Sequence, residues 1–115
     1  MKIEHNGTLM RIYLSESARY GGHDMVTAIV QAIAAAGIAG ATAFKGIEGY
    51  GASGFISSDR TVEGWVDLPI VIEVVDEDEK IRAFLPTLET ILNDGLVTLE
   101  RVQTLLYRTT EATVS

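Results

Sequence analysis

Apolar and polar side chains partly alternate from Gly7 to Ser15, with Met10, Ile12 and Leu14 on one side and Leu9, Arg11 and Tyr13 on the other. A period of two with a semi-apolar second face predicts a strand. Gly21-Gly22 interrupts the chain. Asp24 then offers a helix N-cap, and Met25, Val26, Ile29, Val30 and Ile33 recur at helical spacing until Gly37 closes the helix. Extended character resumes from Ala41 to Glu48, followed by a glycine-rich polar stretch from Gly49 to Gly64 with little periodicity, expected as a long loop. Leu68 to Val75 is a third strand, apolar on both faces, with its proline near the start, where a missing N–H is tolerated. The acidic run Asp76 to Glu79 suits a helix start. Beyond it Ile81, Phe84, Leu85, Leu88, Ile91 and Leu92 form an amphipathic stripe that continues through Pro86, so the proline kinks the helix without ending it. Asn93-Asp94-Gly95 is a turn, Leu96 to Tyr107 a fourth strand, and Arg108 to Ser115 a polar tail.

The order is βαββαβ, which predicts an α+β, ferredoxin-like domain: an antiparallel sheet with both helices on one face. The middle strand conflicts with a lone subunit. Ile70, Ile72 and Val74 face one side and Val71 and Val75 the other, so apolar side chains are left over whichever face the helices cover. Self-association into a closed ring is the simplest way to bury them. Glu73 lies among the leftover side chains, and a carboxylate there requires a pairing charge.

Composition narrows the function. At 115 residues the chain is a single domain, and the longest greasy stretch, Met25 to Ala43, is interrupted by Thr27, Gln31, Gly37 and Gly40, which argues against a membrane span. Nothing near Met1 has the apolar core of an export signal, so a cytoplasmic location is expected. No cysteine is present, which removes disulfides, thiolate metal sites and cysteine nucleophiles. With 16 acidic against 9 basic residues the net charge is −7, and no compact basic patch offsets it, so nucleic acid is not an expected partner. His5 and His23 have no metal-ligand spacing, and Ser53, Ser57 and Ser58 have no nucleophile-elbow frame, so neither a metal site nor an enzyme is expected.

Three segments carry a resemblance over nearly the whole chain: Gly40 to Gly51, which reads Gly-Ala-Thr-Ala-Phe-Lys-Gly-Ile-Glu-Gly-Tyr-Gly; Val66-Asp67-Leu68-Pro69 leading into Ile70 to Val75; and Asp94-Gly95 before the last strand. In that order they resemble the PII-like signalling proteins, and within them the domain of unknown function 190 group. The resemblance implies a homotrimer with effector sites in the clefts between subunits, and a mobile loop, here about residues 50–66, that signals occupancy to a target protein such as a membrane transporter. It also implies that Thr42 meets an adenine, that Gly49 and Gly51 line the phosphate side with Gly46 and Tyr50 beside them, and that Arg108 pairs a phosphate. Departures from the nitrogen regulators are equally specific. Ala52 and Ser53 follow Gly-aromatic-Gly where those proteins have basic and glutamine side chains, Ile70 replaces a lysine after Leu-Pro, and Leu96 replaces the lysine before the last strand. So few cations suit AMP or ADP better than Mg-ATP.

Read without the resemblance, glycines 46, 49, 51 and 54 serve either to expose N–H groups to an anion or to let two chain segments approach closely. Phe55 and Trp65 are large rings in a polar loop that also holds Arg60, and they point to docking on a neighbouring subunit or a target. The expected function is a non-enzymatic regulator that binds an adenine nucleotide. The alternative is a ligand-free trimeric scaffold whose loop alone captures its partner.

Overall fold

The alternating segments pair as one sheet, and the helical stripes close over it. The computed structural model describes residues 1–50 and 67–109 and the backbone of 56–58. Its strands are β1 (Lys2–Ser15), β2 (Arg19–Tyr20), β3 (His23–Asp24), β4 (Ala41–Lys45), β5 (Glu48–Tyr50), β6 (Ile56–Ser58), β7 (Pro69–Asp76) and β8 (Leu96–Tyr107), and its helices are α1 (Met25–Ala35) and α2 (Asp78–Ile91). The four long strands form an antiparallel sheet in the order β4-β7-β1-β8, the ferredoxin-like arrangement expected from βαββαβ.

The core lies between one sheet face and the two helices. Met10, Ile12 and Leu14 of β1 and Ile70, Ile72 and Val74 of β7 meet Met25, Ile29 and Ile33 of α1 and Ile81, Phe84, Leu88 and Ile91 of α2. Each such burial stabilises by about 1.5–3 kcal/mol, because apolar surface leaves water. Helix α1 ends as a Schellman turn. Gly37 adopts φ +76°, Ile38 N–H reaches the Ile33 carbonyl at 3.4 Å, Gly37 N–H reaches Ala34, and the Ile38 side chain is buried. Pro86 lies within α2, as the unbroken stripe predicts; it is exposed, so water can meet the Arg82 carbonyl that loses its helical donor.

Four expectations need correction. The first strand begins at Lys2 rather than Gly7, because β8 is long enough to hold Lys2 to Asn6 as a two-stranded ribbon beyond the reach of β7. Arg19 to Asp24 is a small hairpin, with Gly21 and Gly22 both at positive φ in its turn. The extended segment Ala41 to Glu48 is two strands, broken at Gly46-Ile47. The stretch from Gly49 is not wholly without periodicity, since Glu48–Tyr50 pairs with Ile56–Ser58.

The break at Gly46-Ile47 has a local cause. Gly46 donates its N–H to the Pro69 carbonyl at 2.7 Å, and the chain then folds around that ring. A Cβ at Gly46 or at Gly49 would stand 2.8 Å from Pro69 Cγ, closer than side chains pack. A second clamp ties β1 to α2. Buried Thr8 donates its hydroxyl to Asp78 Oδ1 at 2.6 Å, and Arg82 Nε donates to both Asp78 oxygens at 3.0 and 3.2 Å.

Two predictions follow from these clamps. Gly46→Ala should destabilise by about 1–3 kcal/mol through overpacking against the ring; in a Pro69→Ala background most of that loss should vanish, which chemical denaturation of the native chain, the two single variants and the double variant will read as a coupling. For Asp78, the Thr8 hydrogen bond first and the Arg82 bond second hold its carboxyl below the ordinary value of 3.8. Its contribution is therefore complete above that ordinary value and is lost as pH falls through the lowered one. The urea midpoint of the native chain should drop on titration from about pH 6 to about pH 3, and Asp78→Asn should flatten that acid limb.

Candidate functional site

One end of the sheet gathers the segments that the sequence singles out. Lys45 pairs with Ile70, Pro69 with Ser15, and Leu96 with Tyr13, so Gly46, Gly49, Pro69 and Gly95 lie within about two residues of register of one another. Close approach is built in on both sides. A Cβ at Gly95 would meet the Tyr13 carbonyl oxygen at 2.6 Å, much as one at Gly46 or Gly49 would meet Pro69. Cross-links then fix this end: Ser17 donates its N–H and hydroxyl to Asp67 at 3.0 and 2.8 Å, Glu16 N–H bonds the Leu68 carbonyl, and Lys45 is ion-paired with Glu16. That pairing engages the one cation of the Gly40 to Gly51 segment. Neither Asp67 nor Glu16 was singled out from sequence. Only the position of Asp67 directly before Leu-Pro hinted at it.

The face away from the helices is the second component. Thr42 stands there, opposite Glu73 across the β4–β7 ladder, with Phe44 opposite Val71. Leu9, Tyr13 and Val71 are half-buried, while Val75, Phe44 and Leu96 are exposed by 39%, 50% and 59%, too much apolar surface on one sheet face to be incidental. At its centre Arg11 Nε donates to Glu73 Oε2 at 2.9 Å, and Nη1 lies 3.3 Å from Glu100 Oε1. The Glu73 hydrogen bond, followed by its charge, raises the guanidinium further above its already high pKa. The pairing charge that Glu73 requires thus comes from its own chain. An arginine inside Met10 to Leu14 was the available signal, but only the Arg11↔Glu73 register joins the two.

The remaining site residues fall elsewhere. Tyr50 is 74% exposed at the end of β5. Arg108 lies at the opposite end of the molecule, where its N–H and carbonyl exchange 2.9 Å bonds with Met1. Thr42 is level with Arg11 through Glu73, and Met1 is ten positions from Arg11, which separates Thr42 from Arg108 by about 33 Å of strand. Within one subunit the two cannot touch the same ligand. Gly51, Phe55, Arg60 and Trp65, and with them most of the loop at about 50–66, lie outside the described residues. Among the described residues no group of three or more His, Asp or Glu side chains gathers as a metal site, and no helix is long and apolar enough to cross a membrane.

Comparison with known proteins agrees with this architecture. Residues 7–104 match the profile of the DUF190 family, described as an uncharacterized ACR. A UPF0166 protein of Aquifex aeolicus is 36% identical over 95 residues, covering 83% of this chain and 90% of its own. The UPF0166 protein of Methanocaldococcus jannaschii is 41% identical over 90 residues, covering 77% of this chain and 82% of its own. Among solved structures, CPII of Thiomonas intermedia K12, a nitrogen regulatory PII-like protein bound to ADP, AMP and bicarbonate, superposes with a TM-score of 0.61 at 18% identity. The superposition covers 89% of this chain and 91% of CPII. With the family profile spanning most of the chain and this sheet order beneath it, the protein belongs to the DUF190 family and has the fold of the PII-like proteins.

Proposed function

We propose that this chain is a non-enzymatic PII-like regulator that assembles as a homotrimer, binds an adenine nucleotide in the clefts between subunits, and signals to a target protein through residues of about 50–66. The observation that carries the reading is the apolar sheet face bearing Thr42, Phe44, Val71 and Tyr13, joined at one end to the glycine cluster around Pro69. Sister subunits covering that face would close a crevice beside Thr42, Gly46, Gly49 and Tyr50. Arg108, about 33 Å away in its own subunit, would reach a crevice of this kind only from a neighbouring copy. The likeness to CPII, which binds ADP and AMP, supports a nucleotide as the effector. AMP or ADP is favoured over Mg-ATP because Lys45 is already paired with Glu16 and Leu96 adds no charge at the same end. Regulation would be a population shift: a nucleotide that binds one arrangement of the loop more tightly makes it dominant.

One observation favours a second reading. Close packing against Pro69 and Tyr13 by itself requires Gly46, Gly49 and Gly95, whether or not a phosphate binds beside them. On that reading the trimer is a ligand-free scaffold that engages its partner through the loop.

Titration calorimetry on the native chain with AMP, ADP, ATP and cyclic nucleotides, with and without bicarbonate, separates the two, with light scattering run in parallel. Saturable heat with AMP or ADP is expected, weakened about fivefold by Thr42→Val, which removes one hydrogen bond. A stable trimer that gives no heat with any nucleotide at millimolar concentration would leave the scaffold reading. A 12.4 kDa particle persisting across dilution would remove both.

A further inference from the structure

A groove opens on the helix side of the sheet, where β1 and β8 emerge from beneath the first turn of α2; its cavity is about 630 Å³. Thr8 faces Arg101 across the ladder, and Asn6 faces Gln103. Because side chains alternate along a strand, all four project into the same side as Met10. Helix α2 adds Asp78 and Arg82 from above. Glu100 lies at the rim, but its carboxylate turns to the other face and meets Arg11.

Charge in this groove is unbalanced in favour of cations. Two guanidiniums face one carboxylate, and that carboxylate already accepts from Thr8 and from Arg82 Nε. Arg82 gives Asp78 only its Nε, and among the described residues Arg101 has no hydrogen-bond or ion-pair partner. In a chain of net charge −7, Arg101, held by no hydrogen bond among the described residues and tied to Asp78 by charge alone, stands beside a half-used Arg82 and two carboxamides, an arrangement with more free donors than charged acceptors.

We propose that this groove is an anion site for a phosphate group, such as that of a phosphate monoester. Donors approach from a strand, from a helix and from the two amides, directions that a tetrahedral oxyanion can satisfy together. A planar carboxylate is best matched by a single guanidinium fork, a geometry that donors spread over β1, β8 and α2 do not offer. The site does not depend on the nucleotide reading. It is on the opposite face of the sheet from Thr42, and Thr8 is seven residues of strand, about 23 Å, from the Pro69 end.

The test uses inorganic phosphate as probe and follows arginine Nε–H and glutamine side-chain resonances of the full chain by ¹H–¹⁵N NMR, with acetate at matched ionic strength as the planar control. Phosphate should shift Arg101 and Gln103 in a saturable manner, and Arg101→Gln should weaken that binding about tenfold or more, since a charged hydrogen-bonding partner is lost. Arg101→Lys, which keeps the charge without the fork, should fall between. Arg101 makes no hydrogen bond or ion pair among the described residues and acts on Asp78 through charge alone, so Arg101→Lys should leave the thermal transition unchanged and Arg101→Gln should lower it only slightly. Linear, non-saturating shifts, shifts that survive Arg101→Gln, or acetate binding as tightly as phosphate would each overturn the assignment.

Discussion

The constraint on which the rest of the structure depends is that one four-stranded sheet has two apolar faces and only two helices to cover them. The helices take the face of Met10, Ile12, Ile72 and Val74. The other face is left with Leu9, Tyr13, Val71 and Phe44 around an Arg11–Glu73–Glu100 network. Open to water, these ions stabilise the sheet little. Their importance is conditional: once the face is covered, a lone carboxylate at Glu73 would cost several kcal/mol, whereas a carboxylate already bonded to Arg11 can be enclosed. The pair permits burial more than it drives it.

The sheet also has two unlike ends. At one, the backbone of three segments is packed so tightly around Pro69 and Tyr13 that only glycine fits, and Asp67, Glu16 and Lys45 lock the chain crossings. At the other, β1 and β8 continue as a two-stranded ribbon past β7, with edges that pair with no other strand among the described residues and with Ile3, Leu105, Leu106 and Tyr107 exposed. The first end is a closely packed crossing of chain segments. The ribbon provides reach instead. β1 joins them.

Much of this was legible from the pattern alone. Met25, Ile29 and Ile33, and Ile81, Phe84, Leu88 and Ile91, are both the stripes read from sequence and the buried helix positions, because burial is what selects such spacing. Lys2 to Asn6 was not legible. Its residues carry no alternation of hydrophobicity, and its extended state comes from pairing with Gln103 to Tyr107. The division of the second strand was hidden for a related reason, since Gly46 turns where it does because Pro69, over twenty residues later, stands in the way. For the site, Thr42, Gly46 and Gly49 could be placed near one another from local sequence. That Arg108 is a strand's length away could not, because distance across a sheet is fixed by register, and register depends on every pairing at once.

The place of β1 in the sheet bears on how the chain is made. Of these elements it is made before the others, yet both of its neighbours, β7 and β8, come late in the element order, and the Met1–Arg108 bond spans 107 positions. Its apolar row must therefore wait for its neighbours until β7 and β8 have been synthesised. Such non-local closure slows folding and leaves nascent chains prone to mispairing, so a holding chaperone would be of most use to this protein during translation, before its sheet exists.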